Sequence, residues 1–236
     1  MEVKARGRPL VIGHRGAAAQ APANSLEGLL AAVEAAADVV EFDVDADLCL
    51  GHPGEDAVGP AVSLGEALAA LTASSIGIQL DLKARGIEVQ IVEAVASRGL
   101  ADRVIVSSAW ARSVRRLRRE APWLTCAVSY PRDRLGAGDI AWPEPVSRVV
   151  AWLLRLLMPW RMRLLLHESD AGTVSLQHRL VSPAVVAAAR ARGVGLIAWT
   201  VNDPARIAEL ARLGVDAITS DDPEMALAVL GTLEGS

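Results

Sequence analysis

Cysteine is scarce in this 236-residue chain, which carries only Cys49 and Cys126, each inside an apolar, strand-like run. Two thiols so placed exclude a disulfide framework and a Cys-ligated metal pair, and both read as core residues. An excess of positive charge is also missing. The 24 Lys and Arg against 28 Asp and Glu leave a formal charge of −4, which argues against nucleic acid as the main partner. No uninterrupted apolar stretch approaches the roughly 20 residues that a bilayer-crossing helix needs. Residues 1–8 are polar and lead directly into the first apolar run, so no secretory signal is read there and the expected location is cytoplasmic. A Gly-rich dinucleotide turn is absent after every apolar run, which removes the main argument for an open doubly wound sheet.

What the chain does contain is alternation. Short apolar runs at 10–12, 38–44, 76–83, 103–107, 124–130, 173–177, 195–201 and 217–220 read as strands. Helical periodicity falls between them, at about 26–37, 63–71, 87–97 and 110–119. Asn24, three residues before Glu27, reads as the cap of the first helix. In the C-terminal third, Ser182-Pro183, Asp203-Pro204 and Asp222-Pro223 each pair an N-cap residue with proline at the first helical position. Strands alternating with helices give a parallel sheet, and eight such units close into an α/β (β/α)8 TIM barrel. The expected domain is single and spans 9–231.

One segment does not fit. Residues 141–167 hold Trp142, Trp152 and Trp160 among leucines, with Arg148, Arg155, Arg161 and Arg163 spaced through them. Pro159 should break or kink any helix there. Two readings stay open for this segment: a helix that covers the barrel side, or an interfacial element in peripheral contact with a membrane.

Chemistry in such a barrel belongs at the C-terminal ends of strands. The first strand ends in His14-Arg15-Gly16, a proton carrier beside a fixed cation. Glu41 and Asp43 lie two apart on the second strand and therefore point the same way, and Asp81 and Lys83 repeat that spacing on the third. Three converging carboxylates repel one another unless a cation holds them, and hard oxygen donors suit one Mg²⁺ or Ca²⁺ better than Zn²⁺. His14 and His52 flank this cluster as candidate acid and base. Arg15 and Lys83 supply positive charge for an anionic substrate. Each feature has a plainer reading: a structural histidine, a solvated strand edge, or a lysine paired with a nearby carboxylate.

Taken together these residues resemble the glycerophosphodiester phosphodiesterase family. His14-Arg15-Gly16, Ala21-Pro22-Ala23-Asn24-Ser25-Leu26, Glu41-Phe42-Asp43-Val44, Asp81-Leu82-Lys83, Trp199-Thr200-Val201-Asn202 and Leu213 to Asp221 carry the resemblance in order and spacing. It implies a barrel that hydrolyses phosphodiesters with one divalent cation. Glu41, Asp43 and Asp81 would then be metal ligands, and His14 and His52 the acid/base pair. Arg15 and Lys83 would hold phosphate, and Trp199 would line the pocket. The implied partner is a small or lipid-derived phosphodiester.

The chain departs from the family pattern in four places. Ala23 stands where the family has Glu. Asp81 also replaces Glu, as it does in the sphingomyelinase D-like barrels. The connection from Asp43 to His52 is short, and Pro53 follows His52 where Asp is usual. Two alternatives to glycerophosphodiester hydrolysis stay open on the sequence. One is a lysophospholipase D or sphingomyelinase D-like phosphodiesterase, or a lyase of that type that forms a cyclic phosphate; the other is an inactive or ligand-binding barrel.

Overall fold

Eight parallel strands close on themselves in chain order. They are β1 (Leu10–Gly13), β2 (Val39–Val44), β3 (Gly77–Leu82), β4 (Val104–Ser108), β5 (Thr125–Tyr130), β6 (Thr173–Gln177), β7 (Gly195–Trp199) and β8 (Ala217–Ser220). The computed structural model describes residues 1, 3, 7–52, 61–132 and 146–234 and, in the last segment, the side chains of 155–233. Closure is made by β1 against β8, with Leu10 beside Ala217 and Gly13 beside Ser220. The helices are α1 (Leu26–Glu34), α2 (Leu64–Thr72), α3 (Glu88–Ala96), α4 (Ala111–Glu120), α5 (Val146–Ser169), α6 (Pro183–Arg190), α7 (Pro204–Leu213) and α8 (Pro223–Glu234). The expected (β/α)8 architecture is therefore the observed one.

The period-two geometry of a strand divides the apolar residues into two separate cores. Outward-facing Val40, Phe42, Ile78, Leu80, Val106 and Val128 pack against the helices in the larger one. Inward-facing Ile12, Val39, Ile105, Ala127, Ile197 and Ala217 form the floor of the barrel with Val3. That floor leaves no room at Gly195, where a Cβ would stand 2.7 Å from the carbonyl oxygen of Val3. Above it the inward positions turn polar, with Glu41, Gln79, Ser107, Ser175 and Thr219 all buried. An apolar floor beneath polar upper layers directs all chemistry to one mouth.

Local capping signals mostly act as the sequence predicts. Ser63 and Glu66 form a capping box on α2, and Ser182 and Asp203 cap α6 and α7 with proline following each. Three expectations are corrected. The cap of α1 is Ser25, whose side chain accepts from the Gly28 N–H at 3.0 Å, while Asn24 (φ 55°) turns away from the helix. Pro159 lies inside α5 without ending it, because buried Met158, Met162 and Leu165 hold both sides of it against the barrel. Cys126 is buried as expected, but Cys49 is half-exposed on a turn organised by the Asp45 carboxylate, so only one cysteine is a core thiol.

Residues 141–145 of the Trp and Arg segment lie outside the described residues, as do the side chains of Arg148 and Trp152; the rest is the α5 helix. Its outward side exposes Leu156, Leu157 and Trp160. Among the described residues no helix is long and apolar enough to cross a membrane.

Candidate active site

The C-terminal mouth of the barrel opens into a cavity of about 1340 Å³. His14, Arg15, Glu41, His52, Asp81, Lys83 and Trp199 all line it, so seven of the eight residues singled out in the sequence meet in one place. The eighth, Asp43, is buried at the cluster's base, where Arg15 and Lys83 contact it.

Glu41, Asp43 and Asp81 each offer a carboxylate oxygen, and these oxygens lie within 4.8 Å of one another. The turn after β1 helps to hold them. Arg15 and Gly16 both adopt positive φ, which aims the Arg15 N–H at Glu41 Oε2 (2.8 Å) and the Gly16 N–H at the Glu41 carbonyl (2.9 Å). Glycine is required there, since a Cβ on Gly16 would lie 2.3 Å from the Gly28 carbonyl carbon. Asn24, released from capping, brackets Asp43. Its Nδ2 donates to Asp43 Oδ2 at 3.2 Å, and its Oδ1 accepts from the Asp43 N–H at 3.0 Å. Asp81 is steadied by the Ser107 hydroxyl, which donates at 2.6 Å and accepts in turn from Gln79 Nε2 at 3.0 Å.

The two cations reach the same carboxylates. Lys83 Nζ lies 3.0 Å from Asp43 Oδ1 and 2.5 Å from Asp81 Oδ2, and Arg15 Nε lies 3.1 Å from Asp43 Oδ2. The plainer reading of Lys83 as a partner of the cluster is thus what the structure shows. Electrostatics follow this geometry. Burial opposes ionisation of Asp43, yet Lys83 and Arg15 outweigh it and hold its carboxyl below the usual range. Glu41 has fewer compensating charges, and burial with Asp43 beside it pushes its pKa up to about 7. Burial disfavours the charged form of Lys83, but the three carboxylates hold its pKa above the ordinary lysine value.

His14 is fixed from the far end of the chain. Its Nδ1 lies 2.6 Å from Asp221 Oδ1, just beyond β8. Asn202 accepts from the Asp221 N–H at 3.0 Å and donates Nδ2 to the other Asp221 oxygen. Burial lowers the His14 pKa, but the Asp221 hydrogen bond and the charges of Glu41 and Asp221 outweigh it, so the net shift is upward. This Asp–His arrangement engages Nδ1 and leaves Nε2 available for proton transfer. His52 reaches the cavity half-buried, despite the short connection that precedes it. Ala23, where the resemblance expects a carboxylate, sits exposed on the cavity wall and leaves that edge open.

Sequence reasoning missed the supporting residues. In the sequence, Asp221 and Asn202 stand out only within the stretches that carry the resemblance, Ser107 only as a strand end that could touch phosphate, and Asn24 only as a cap. Their one sequence signal is position, immediately at or beyond a strand end. On the opposite wall, Trp199 is an expected lining residue and His178 has a reading as a strand-end substrate contact, whereas Trp110, Ser129, Arg132 and Gln177 carry no such signal; all six line the cavity. The Arg132 guanidinium stacks 4.5 Å over the Trp110 ring.

Two buried carboxylates, a part-buried third and two imidazoles meet at the mouth of a (β/α)8 barrel, a set of groups equipped for acid/base chemistry. The sequence model of the glycerophosphoryl diester phosphodiesterase family matches residues 14–46 and 72–225. The chain belongs to that family of phosphoric diester hydrolases. A glycerophosphodiester phosphodiesterase of Caldanaerobacter subterraneus subsp. tengcongensis is 27% identical over 139 residues, 59% of this chain and 47% of that relative. The match thus spans about half the length of the curated relative. Among solved structures, a glycerophosphodiester phosphodiesterase from Parabacteroides distasonis superposes with a TM-score of 0.75 at 20% identity, over 95% of this chain and 98% of that one. An Oleispira antarctica phosphodiesterase, solved with the product sn-glycerol-3-phosphate, gives 0.71 at 21% identity, over 95% and 97%. At these identities the structural likeness speaks for the fold.

Proposed function

We propose that the protein hydrolyses glycerophosphodiesters to sn-glycerol 3-phosphate and an alcohol, with residues 9–231 as the catalytic unit. The observation that carries this reading is the convergence of His14, His52 and the Glu41–Asp43–Asp81 cluster on one cavity. That the Oleispira antarctica relative binds sn-glycerol-3-phosphate supports the choice of substrate.

The carboxylate cluster fits one divalent cation, Mg²⁺ or Ca²⁺. Its donors are all hard oxygens, and Glu41 is a buried carboxylate that the resident cations leave undercompensated. When bound, such an ion supplies Lewis-acid polarisation of the phosphoryl oxygens. The protein's own groups do the rest. Arg15 and Lys83 add positive charge around the phosphate. One imidazole takes a proton from the attacking water as its oxygen bonds to phosphorus. The other gives a proton to the departing alkoxide as the P–O bond breaks, so no free alkoxide is released. Asp221 holds His14 in one tautomer throughout. The wall of Trp110, Arg132, His178 and Trp199 receives the alcohol half.

A panel of glycerophosphodiesters and lysophospholipids, assayed with Mg²⁺, Ca²⁺ or chelator, tests this. Metal-dependent release of sn-glycerol 3-phosphate is the expected outcome. Phosphorus NMR of the product separates hydrolysis from cyclic-phosphate formation. Absence of turnover on every substrate with either metal would leave a ligand-binding barrel.

A further inference from the structure

The helix α5 carries apolar side chains on two sides. Met158, Met162 and Leu165 are buried against the barrel, while Leu156, Leu157 and Trp160 are exposed to 63%, 57% and 67%. A surface helix ordinarily presents polar residues outward, so a large apolar patch there marks a contact surface. Its surroundings identify the contact. Helices α4 and α5 together contain nine arginines against two glutamates, in a chain whose overall charge is −4. The two helices pack on each other, and Arg115 and Arg118 donate to the carbonyls of His167 and Asp170 around the end of α5. Arg112, Arg119 and Arg163 are exposed. Leucine and tryptophan fringed by arginine match the interior edge and the anionic headgroups of a bilayer at once.

Position adds a functional argument. Arg155, next to Leu156, donates to the backbone carbonyl of Arg179, and Arg179 lines the catalytic cavity. The exposed apolar side chains therefore adjoin the rim of the mouth.

We propose that the outward side of α5, with the arginines of α4, docks the protein on the surface of an anionic lipid bilayer. The helix lies in the headgroup plane rather than crossing it. Docking there holds the mouth of the barrel beside the headgroups, where diesters derived from membrane lipids arise.

Sedimentation with phosphatidylglycerol–phosphatidylcholine vesicles, beside vesicles of phosphatidylcholine alone, tests the surface without relying on hydrolysis. The full chain is expected to bind the anionic vesicles at low salt and to release with added salt. The L156E/L157E/W160E variant is expected to bind at least about tenfold more weakly, and R112E/R119E about fivefold more weakly per charge. Hydrolysis of a soluble glycerophosphodiester and the thermal melt of each variant, followed in parallel, are expected to match the parent. No binding to anionic vesicles at low salt, or equal binding by the triple variant, overturns the proposal. So does light scattering that shows a dimer dissociating in the triple variant, because the patch then joins two copies of the chain.

Discussion

The two walls of the cavity are built on opposite plans. On the β1–β2–β3–β8 side nearly every functional group is held by another: Glu41 by the Arg15 amide, Asp43 by Asn24, Asp81 by Ser107 and His14 by Asp221. On the other side, Trp110 Nε1, His178 Nδ1 and Trp199 Nε1 are buried with no hydrogen-bond partner among the described residues, a state that Gln79 Oε1 shares on the first wall. Charge divides the same way. The carboxylates crowd the first wall, whereas burial with Arg206, Arg179 and Arg155 nearby pushes His178 down to about 4 and keeps it neutral. Groups that must make and break bonds are placed before substrate arrives, because misplacement by an ångström costs orders of magnitude in rate. On the proposed reading, the groups that would sort alcohols keep hydrogen-bonding capacity in reserve.

The comparison can be broken hardest at the braced wall. His14→Ala is expected to lower kcat by roughly 10³-fold with little change in the thermal melt, and retained activity would remove His14 from the mechanism. Glu41→Gln and Asp43→Asn should each abolish the stabilisation of the protein by added metal, read by thermal shift. In chelator the two part company. Asp43→Asn leaves Lys83 and Arg15 facing a neutral group and should cost about 3 kcal/mol or more. Glu41 has its pKa raised from 4.5 to about 7, so the folded protein holds a proton there that the unfolded chain has lost. Parent stability in chelator should therefore fall as pH rises between those values, and Glu41→Gln should flatten that fall.

A smaller effect sharpens the role of the brace itself. Asp221→Asn is expected to cost roughly 10- to 100-fold in rate. It should also move the His14 imidazole titration to lower pH, followed by NMR in the metal-free protein. A slower enzyme with an unmoved titration would reduce Asp221 to a structural contact. The smallest effects belong to the open wall. Trp199→Leu and Arg132→Ala should change KM by only a few-fold, and unequally among alcohol groups; kcat on the best substrate should hold. A uniform loss across the panel would mean that this wall does not sort substrates.

Much of the braced wall was legible in the chain, because its main members are set by local geometry. Glu41 and Asp43 share an inward face through strand periodicity, as do Asp81 and Lys83. The Ser and Asp caps with following prolines mark α6 and α7 at single-residue resolution. Asn24 was misread because two adjacent residues can cap the same helix. Ser25 wins that contest, and the choice depends on an Asp43 carboxylate nineteen residues away. Pro159 does not end α5, because the barrel packing that holds the helix on both sides of it outweighs proline's local cost. The exposed apolar side of α5 could not be told from a core stripe, since Leu156 and Leu165 look alike until one knows which side faces the barrel.

By itself, then, the sequence determined the alternation of strand and helix, the eight-unit count and the shared inward direction of Glu41 and Asp43. These follow from backbone periods of 2.0 and 3.6 that act within a few residues. Closure decided the rest. Asp221 lies 207 residues from His14, and only the pairing of β8 with β1 brings the two within 2.6 Å. A hydrogen bond needs ångström placement, and no local rule carries placement across a whole barrel.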